Sequence, residues 1–539
     1  MADSPTARTP TARTPTGGDA SAWAPLRLPA FRMLWIAQLG SNVGSWMQTV
    51  GAQWMLIHQP HAATLTSAVQ AASLLPVLFL SLPAGVLADV LDRRRLLLVL
   101  ALLMALISGA LAGLTAAGLT TPAVLLTLTF LLGCAQALTS PGWQAIQPEL
   151  VPRQQIPAAA ALGSLNVNLA RAVGPALAGL LVAVSGVDTV FAINAVSFLG
   201  VLAALAAWRR APRAEGVPEP MRPALVSGAR YVRHAPGVRR LMLRAALFVL
   251  PASALWGLLP VVSQSRLGLG SGGYGLLLAA LGLGSILAAV SLKRVRAALS
   301  DGRLLALSTV AFALGTVAAA LLRQPLPVAV ALVAAGAGWL YALSTLNTAL
   351  QLTLPAWVRA RGLAVYLMVF LGGQGIGALV WGLAASALGT PTTLLVATGL
   401  LLLSALSLLR WPLRTLGASL DRSIVAPWPE PALALDLAPE DGPVLVEVAY
   451  RIGAGRTAEF RTAMQAVGTS RRRTGAYRWA LYQDSADPEL WVEVFEVASW
   501  SEHLRQHDGR LTGYDVELLE RARRLADQEP TARHLLPPP

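Results

Sequence analysis

From Phe31 to about Trp411 the chain alternates long apolar runs with short breakers of Gly, Pro and Arg. Each run is close to the roughly 20 residues a helix needs to cross a bilayer. Read against their breakers, the runs predict helices at 31–58, 64–87, 96–117, 122–141, 157–185, 187–208, 239–264, 272–292, 302–322, 325–347, 360–388 and 391–411, twelve in all. The longest break, from about Arg209 to Arg240, divides them six and six, the order expected of two parallel repeats. A faint internal echo agrees: QPELVP (Gln147–Pro152) and QLTLP (Gln351–Pro355) each precede a glycine-bearing run.

After Trp411 the period changes. Residues 412–443 are rich in Pro and Ala, and the segment from Val444 to Leu525 alternates apolar with polar residues in VLVEVAY, AYRWALYQ and LWVEVFEV, a strand pattern interleaved with amphipathic helical stretches. The expected organisation is a disordered tail (1–26), a six-helix bundle (27–208), a cytoplasmic linker (209–238), a second six-helix bundle (239–411), a linker (412–443) and a small soluble α+β domain (444–527). The tail repeats TARTP and has no signal-peptide core, so the first helix is expected to act as its own uncleaved insertion signal.

Composition supports the lipid reading. With 55% apolar residues, 13% charged residues and a mean hydropathy of +0.57, 539 residues are too apolar for a water-soluble fold. The net charge of +14 does not point to nucleic acid, because the arginines sit between apolar runs. Alternate connections, at 93–95, 153, 209–240, 293–303 and 359–361, hold 18 basic residues, and the opposite ones hold only Arg266 and Arg323. That bias places both termini in the cytoplasm. Lys293 is the only lysine, which reads as GC-rich coding bias. Cys134 is the only cysteine, so no disulfide or thiolate cluster forms within the chain, and no metal site or cofactor is suggested.

Between the second and third runs stands GVLADVLDRRR, Gly85 to Arg95. Gly85, Asp89, Arg93, Arg94 and Arg95 resemble the cytoplasmic loop motif of major facilitator transporters, in which the glycine permits close helix packing and the carboxylate and arginines latch one arrangement of the bundle. Val90 stands where that motif usually has arginine, and Asp92 where it has a second glycine. GxLAD followed by DRRR is closer to one subgroup, the transmembrane secretion effector family, which includes siderophore exporters related to the enterobactin exporter. In the fifth run RAVGPALAG, with Gly174, Pro175 and Gly179, resembles the superfamily's antiporter motif, which implies export. Small residues at this spacing also serve ordinary membrane packing.

Arg171 is the basic residue deep inside a run of the first half, and a guanidinium there needs a carboxylate, carbonyls or an anionic ligand. Arg244, nearer a helix end, reads as a snorkelling anchor. The first run carries a polar stripe, Gln38, Asn42, Ser45, Thr49 and Gln53, at helical spacing. The resemblance implies that the first, fourth, seventh and tenth helices line a central cavity, which makes Gln38, Asn42, Trp46, Gln136, Arg171, Trp256, Trp339 and Asn347 the candidate substrate residues. Every carboxylate between Arg27 and Trp411 is in a loop or at a helix end, and Thr129 stands where many proton-coupled drug exporters carry arginine. Proton coupling is therefore an implication of the family with little local support.

In the tail, SWSEHLRQH places His503 and His507 at i, i+4. Two histidines without a third ligand are weak grounds for metal or acid–base chemistry. The segment resembles the ferredoxin-like, dimer-forming fold of small monooxygenases and their non-catalytic relatives, which implies a regulatory or homodimerising module and no catalytic residues. The expectation is an all-α membrane protein of twelve transmembrane helices with a C-terminal cytoplasmic α+β domain. It would sit in the lipid of a bacterial cytoplasmic membrane and export a small metabolite, siderophore or drug-like compound by alternating access. Rival readings are an importer of a small solute, a membrane-tethered oxygenase-like enzyme, and a receptor or scaffold that does not transport.

Overall fold

The computed structural model describes residues 21, 23–208, 221–413, 423, 425 and 437–537; among these, the side chains of 82, 86, 88–90, 221–227, 360 and 508 are not described. The first group of helices is α1 (Pro29–Met55), α2 (Ala62–Val90), α3 (Arg93–Ala116), α4 (Pro122–Leu150), α5 (Ile156–Ser185) and α6 (Val187–Ala207). A short helix, α7 (Met221–His234), follows. The second group is α8 (Pro236–Ser265), α9 (Ser271–Ala298), α10 (Asp301–Leu321), α11 (Pro325–Thr353), α12 (Arg359–Leu367), α13 (Gly373–Leu388) and α14 (Thr390–Arg410). A π-helical turn, Met368–Gly372, joins α12 to α13 in one continuous rod.

Local chemistry sets the ends of these helices. Asp92 accepts from the Arg95 amide at the start of α3, and Thr121 caps α4 ahead of Pro122. Gly186 and Gly389, at φ 91° and 83°, make the tight turns after α5 and α13. The echo seen in sequence has a backbone counterpart: Pro152 and Pro355 have nearly the same conformation, and each opens a 3₁₀ turn, Arg153–Gln155 or Ala356–Val358.

Among the described residues, eleven helices are long and apolar enough to cross a membrane. Helix α1 is not among them, because its polar stripe lowers its hydropathy, although at 27 residues it is long enough. Two expectations need correction. Helix α4 continues past 141 to Leu150, through Pro141 and Pro148, since packing against α2 and α3 carries the rod across both prolines. Residues 209–238, expected to be a linker, contain α7, whose Tyr231 is buried; positions 209–220 lie outside the described residues.

Beyond the membrane helices, β1 (Val444–Arg451), α15 (Thr457–Thr474), β2 (Arg478–Gln483), β3 (Leu490–Val497), α16 (Trp500–Arg505), α17 (Gly513–Arg523) and β4 (Thr531–Leu535) form an α+β unit. Its antiparallel sheet has the order β2-β3-β1-β4. Strict alternation turns Val444, Val446, Val448 and Tyr450 of β1 and Trp491, Phe495 and Val497 of β3 toward the helices, where Phe460, Met464 and Val467 of α15 complete the core. Strand β4 lies beyond the expected boundary at 527; TARHL is short and has no apolar alternation to announce it.

Candidate functional site: a central cavity with one buried arginine

A cavity of about 1070 Å³ opens between the two helix groups. Its lining includes Phe31, Leu150, Ala159 and Gln351, all close to helix ends at the arginine-rich end of the bundle, and reaches inward to Thr49 and Arg171. Most of the wall comes from α1, α4 and α5. Among the described residues, ten carboxamide side chains, Gln or Asn, line it, and Arg171 is its one charged group.

Helix α1 places Gln38, Asn42, Ser45, Trp46 and Thr49 on this wall, as a 3.6-residue repeat dictates. Gln38 Nε2 donates to Asn42 Oδ1 at 3.0 Å, and Asn42 Nδ2 donates to Asn166 Oδ1 of α5 at 2.9 Å. Asn166 in turn donates to the Trp35 carbonyl, 2.9 Å away, so the wall is a connected amide network. Gln136 of α4 reaches Ser45 Oγ at 3.4 Å, and Gln351 donates to Asn347 Oδ1 one turn back along α11 at 2.6 Å.

Arg171 sits deepest. Its guanidinium carbon lies 5.9 Å from the Trp46 ring centroid, a cation–π arrangement. Its Nε and Nη1 are buried without a hydrogen-bond partner. A guanidinium in this state has unspent donors directed at the interior, the condition that favours an anionic ligand.

Trp256 and Trp339 do not line the cavity. Trp339 is buried among Phe248, Phe312, Phe370 and Trp256, with ring centroids 5.4–5.7 Å apart. Trp256 meets Trp46 at 6.1 Å and stands behind it. Gln53 also departs from the stripe: it is buried, and it accepts from the Tyr274 hydroxyl at 2.6 Å in the packing that closes the far end. Asn168, Gln144 and Gln147 line the wall and were not anticipated; the signal available was an amide in an otherwise apolar run.

The small residues of α5 face two neighbours. A Cβ on Gly174 would stand 2.7 Å from the Trp46 Cβ and 3.1 Å from the Val43 carbonyl of α1. One on Gly179 would stand 2.6 Å from the Ser271 carbonyl of α9, and Gly275 of α9 packs on the Pro175 carbonyl. The second helix group has the same device in Gly375 and Gly377, packed on Leu74 and Leu75 of α2 and on Ser253 of α8.

The loop motif is engaged differently from what its resemblance implies. Gly85 faces open space, with no atom within 4 Å of where a Cβ would stand, so close packing does not demand glycine in this conformation. Arg93 pairs with Glu149 of α4 at 3.1 Å. Arg94 donates to the Leu205 and Ala206 carbonyls at 3.0 and 2.8 Å, capping α6. The side chain of Asp89 lies outside the described residues. Arg244 is not a snorkelling anchor: it is buried and caps α14 through the Ser404, Ser407 and Trp411 carbonyls.

In the α+β unit the inward-facing Glu493 is fully buried and saturated. It accepts from Arg471 Nε at 3.0 Å, Trp479 Nε1 at 2.9 Å and the Tyr450 hydroxyl at 3.2 Å. Beside it, Phe460, Trp491 and Phe495 fill the space between sheet and helix. The unit also touches the membrane helices: Arg230 of α7 donates to the Gly475 carbonyl and stands 3.8 Å from Glu502, while Arg510 lies 5.0 Å from the ring of Trp357.

The sequence profile of a family described as transmembrane secretion effector matches residues 20–537. Among characterised proteins, the staphyloferrin A transporter of Staphylococcus aureus (strain NCTC 8325 / PS 47) is 32% identical over 165 residues, 30% of this chain and 42% of that one. The multidrug efflux pump Tap of Mycobacterium tuberculosis (strain ATCC 25618 / H37Rv) is 33% identical over 186 residues, 33% of this chain and 43% of that one. The chain thus spans less than half the length of the curated relatives it matches. The nucleoside transporter NupG superposes with a TM-score of 0.57 at 13% identity, covering 71% of this chain and 98% of that one. A bacterial homologue of the lysosomal transporter Spinster, inward-facing and unoccupied, gives 0.56 at 15%, with 71% and 98% coverage. The family and these relatives are transporters, not enzymes. With its mostly helical, multi-pass architecture, the chain belongs to the transmembrane secretion effector family of major facilitator transporters.

Proposed function

We propose that the protein exports a small organic anion across a bacterial cytoplasmic membrane by alternating access. The observation that carries this reading is the amide-lined cavity whose single charge is Arg171, with two buried donors left unpartnered. The relative named a multidrug efflux pump supports outward movement, and the one named a staphyloferrin A transporter supports a small-molecule cargo. In this reading α1 is the twelfth span, α1–α6 and α8–α14 are two six-helix repeats, and both termini are cytoplasmic, as the arginine bias supports. The cavity then faces the cytoplasm, while α5 with α9 and α2 with α13 close the outer end. Arg93 and Arg94, with Gly85 and Asp89, would latch the opposite state.

Among the described residues no carboxylate lines the cavity, so a proton would travel on the substrate or through Asp188. We assign the α+β unit a ferredoxin-like fold and a regulatory role, since it grips α7, the connector between the helix groups. Its outward sheet face, with Ala449, Val492 and Val494, suits a homodimer contact.

The test is efflux from proteoliposomes or inverted vesicles of a matched pair of labelled compounds, one carboxylate and one its neutral amide. Preferential transport of the carboxylate is expected. Equal transport of both, or accumulation against the proposed direction, overturns the reading.

A further inference from the structure

Three of the chain's six histidines gather at one point of the α+β unit. His503 lies in α16 and His507 in the π-helical turn Gln506–Arg510 that continues it. A π turn widens the helix locally and recurs where side chains must be re-aimed for function. Here it brings His507 Nε2 to 3.1 Å from His503 Nε2. The third imidazole, His534, comes from β4, an edge strand more than two dozen residues away in sequence. It pairs in register with Val446, whose side chain faces the core, so His534 projects toward α16. Its ring centroid lies 4.7 Å from that of His503, and one ligand nitrogen from each of the three falls within 4.8 Å of the others.

The geometry points to a site for a divalent first-row transition-metal ion, of the kind that takes imidazole nitrogen, formed by His503, His507 and His534. Zinc–nitrogen bonds of about 2.0–2.1 Å in a tetrahedron set ligand nitrogens roughly 3.3 Å apart, close to the spacing of the His503–His507 pair. His534 reaches the same spacing by a small ring movement on its edge strand. Three imidazoles leave a fourth position for water or a small anion.

The surroundings fit. His503 is 2% exposed, and its Nδ1 has no hydrogen-bond partner. Gln506 lies beside His503, and its Oε1 is buried without a partner, so it can take an Nδ1–H and direct Nε2 at the ion. Trp500 flanks His503 and His534 at 5.3 and 6.0 Å, an apolar wall. Two buried carboxylates of the unit are committed elsewhere: Glu502 to Arg510 at 2.6 Å and Glu493 to Arg471 at 3.0 Å.

The experiment is titration of the untagged full-length protein, in detergent and stripped with chelator, with Co²⁺ followed by Zn²⁺. One equivalent of Co²⁺ should develop the visible bands of a four- or five-coordinate ion, and Zn²⁺ should displace it. His534→Ala and His507→Ala should each abolish the bands, His534→Cys should restore binding through a thiolate, and Gln506→Leu should weaken it about 10- to 100-fold. His58→Ala, remote from the cluster, should change nothing. Circular dichroism and gel filtration of the metal-free variants establish that each is folded, and the Cys rescue separates lost ligation from lost structure. Absence of Co²⁺ bands in the wild type, or bands that survive His534→Ala and His507→Ala, overturns the site.

Discussion

The two helix groups share their turns and their glycine contacts but differ in what they keep inside. Helices α1, α4 and α5 turn amides toward the cavity, and only 28% of the most apolar stretch of α5 is buried. In the second group α8 is 78% buried over its most apolar stretch, and its Phe248 and Trp256 sit in an aromatic cluster around Trp339. Under the proposed transport cycle, one group would hydrogen-bond the ligand and the other would stay packed while the first moves against it. Trp46 is the joint between them, touching Arg171 on one side and Trp256 on the other.

The largest expected effect breaks a close helix contact within the first group. Gly174→Leu forces at least a Cβ to within 2.7 Å of the Trp46 Cβ, pushing α5 off α1. Transport in proteoliposomes should be lost, or the passive leak should rise. A variant with normal pumping and normal leak would remove any functional meaning from this helix contact.

Next is the charge in the polar group. Arg171→Met should lose the carboxylate substrate while keeping its neutral amide, and Arg171→Lys should retain part of the carboxylate binding as a point charge without the planar fork. Equal losses for both compounds in equilibrium binding would return Arg171 to a structural brace on Trp46.

The comparison is sharpest in a crossed pair. Trp339→Ala removes a buried aromatic side chain and should cost about 3–5 kcal/mol of stability, read as a lower unfolding midpoint in detergent, with substrate affinity little changed. Gln136→Ala should leave the midpoint nearly unmoved and weaken binding about two- to tenfold, the value of one hydrogen bond. The reverse outcome would place the site in the aromatic group.

The fold was legible wherever composition dominates. Each apolar run became a helix, because lipid leaves a backbone no alternative to internal hydrogen bonds, although α4, α9 and α11 run on past the expected ends. The polar stripe named four wall residues of α1, and period alone could not tell that Gln53 had passed the cavity floor to meet Tyr274. Trp256 and Trp339 were misplaced for a related reason: an aromatic residue on a cavity helix reads the same whether it faces ligand or core. Arg244 looked like an anchor because its acceptors, the last carbonyls of α14, are remote in sequence. The histidine cluster was invisible for want of β4, whose five residues carry no strand pattern.

The smallest expected effect concerns the α+β unit, whose grip on the connector sets it apart from a freely tethered domain. Arg230 of α7 bonds the Gly475 carbonyl and faces Glu502, which Arg510 holds through both oxygens at 2.6 and 2.9 Å. Arg510 also lies over Trp357, in the turn that leads into α12, and Trp357 meets Tyr231 edge-on at 5.6 Å. Any rocking of α8–α14 therefore drags on this contact. Arg230→Ala should free the unit, costing about 1–3 kcal/mol at most for a charged hydrogen bond and less where water reaches it. Transport rate should shift about twofold with the substrate preference unchanged. Truncation after Leu420 should give the same phenotype in a protein that still inserts and pumps, because every residue lining the cavity precedes it. A changed substrate range in either variant would put the unit in the transport path, and identical rates in wild type and both variants would leave the contact without a regulatory role.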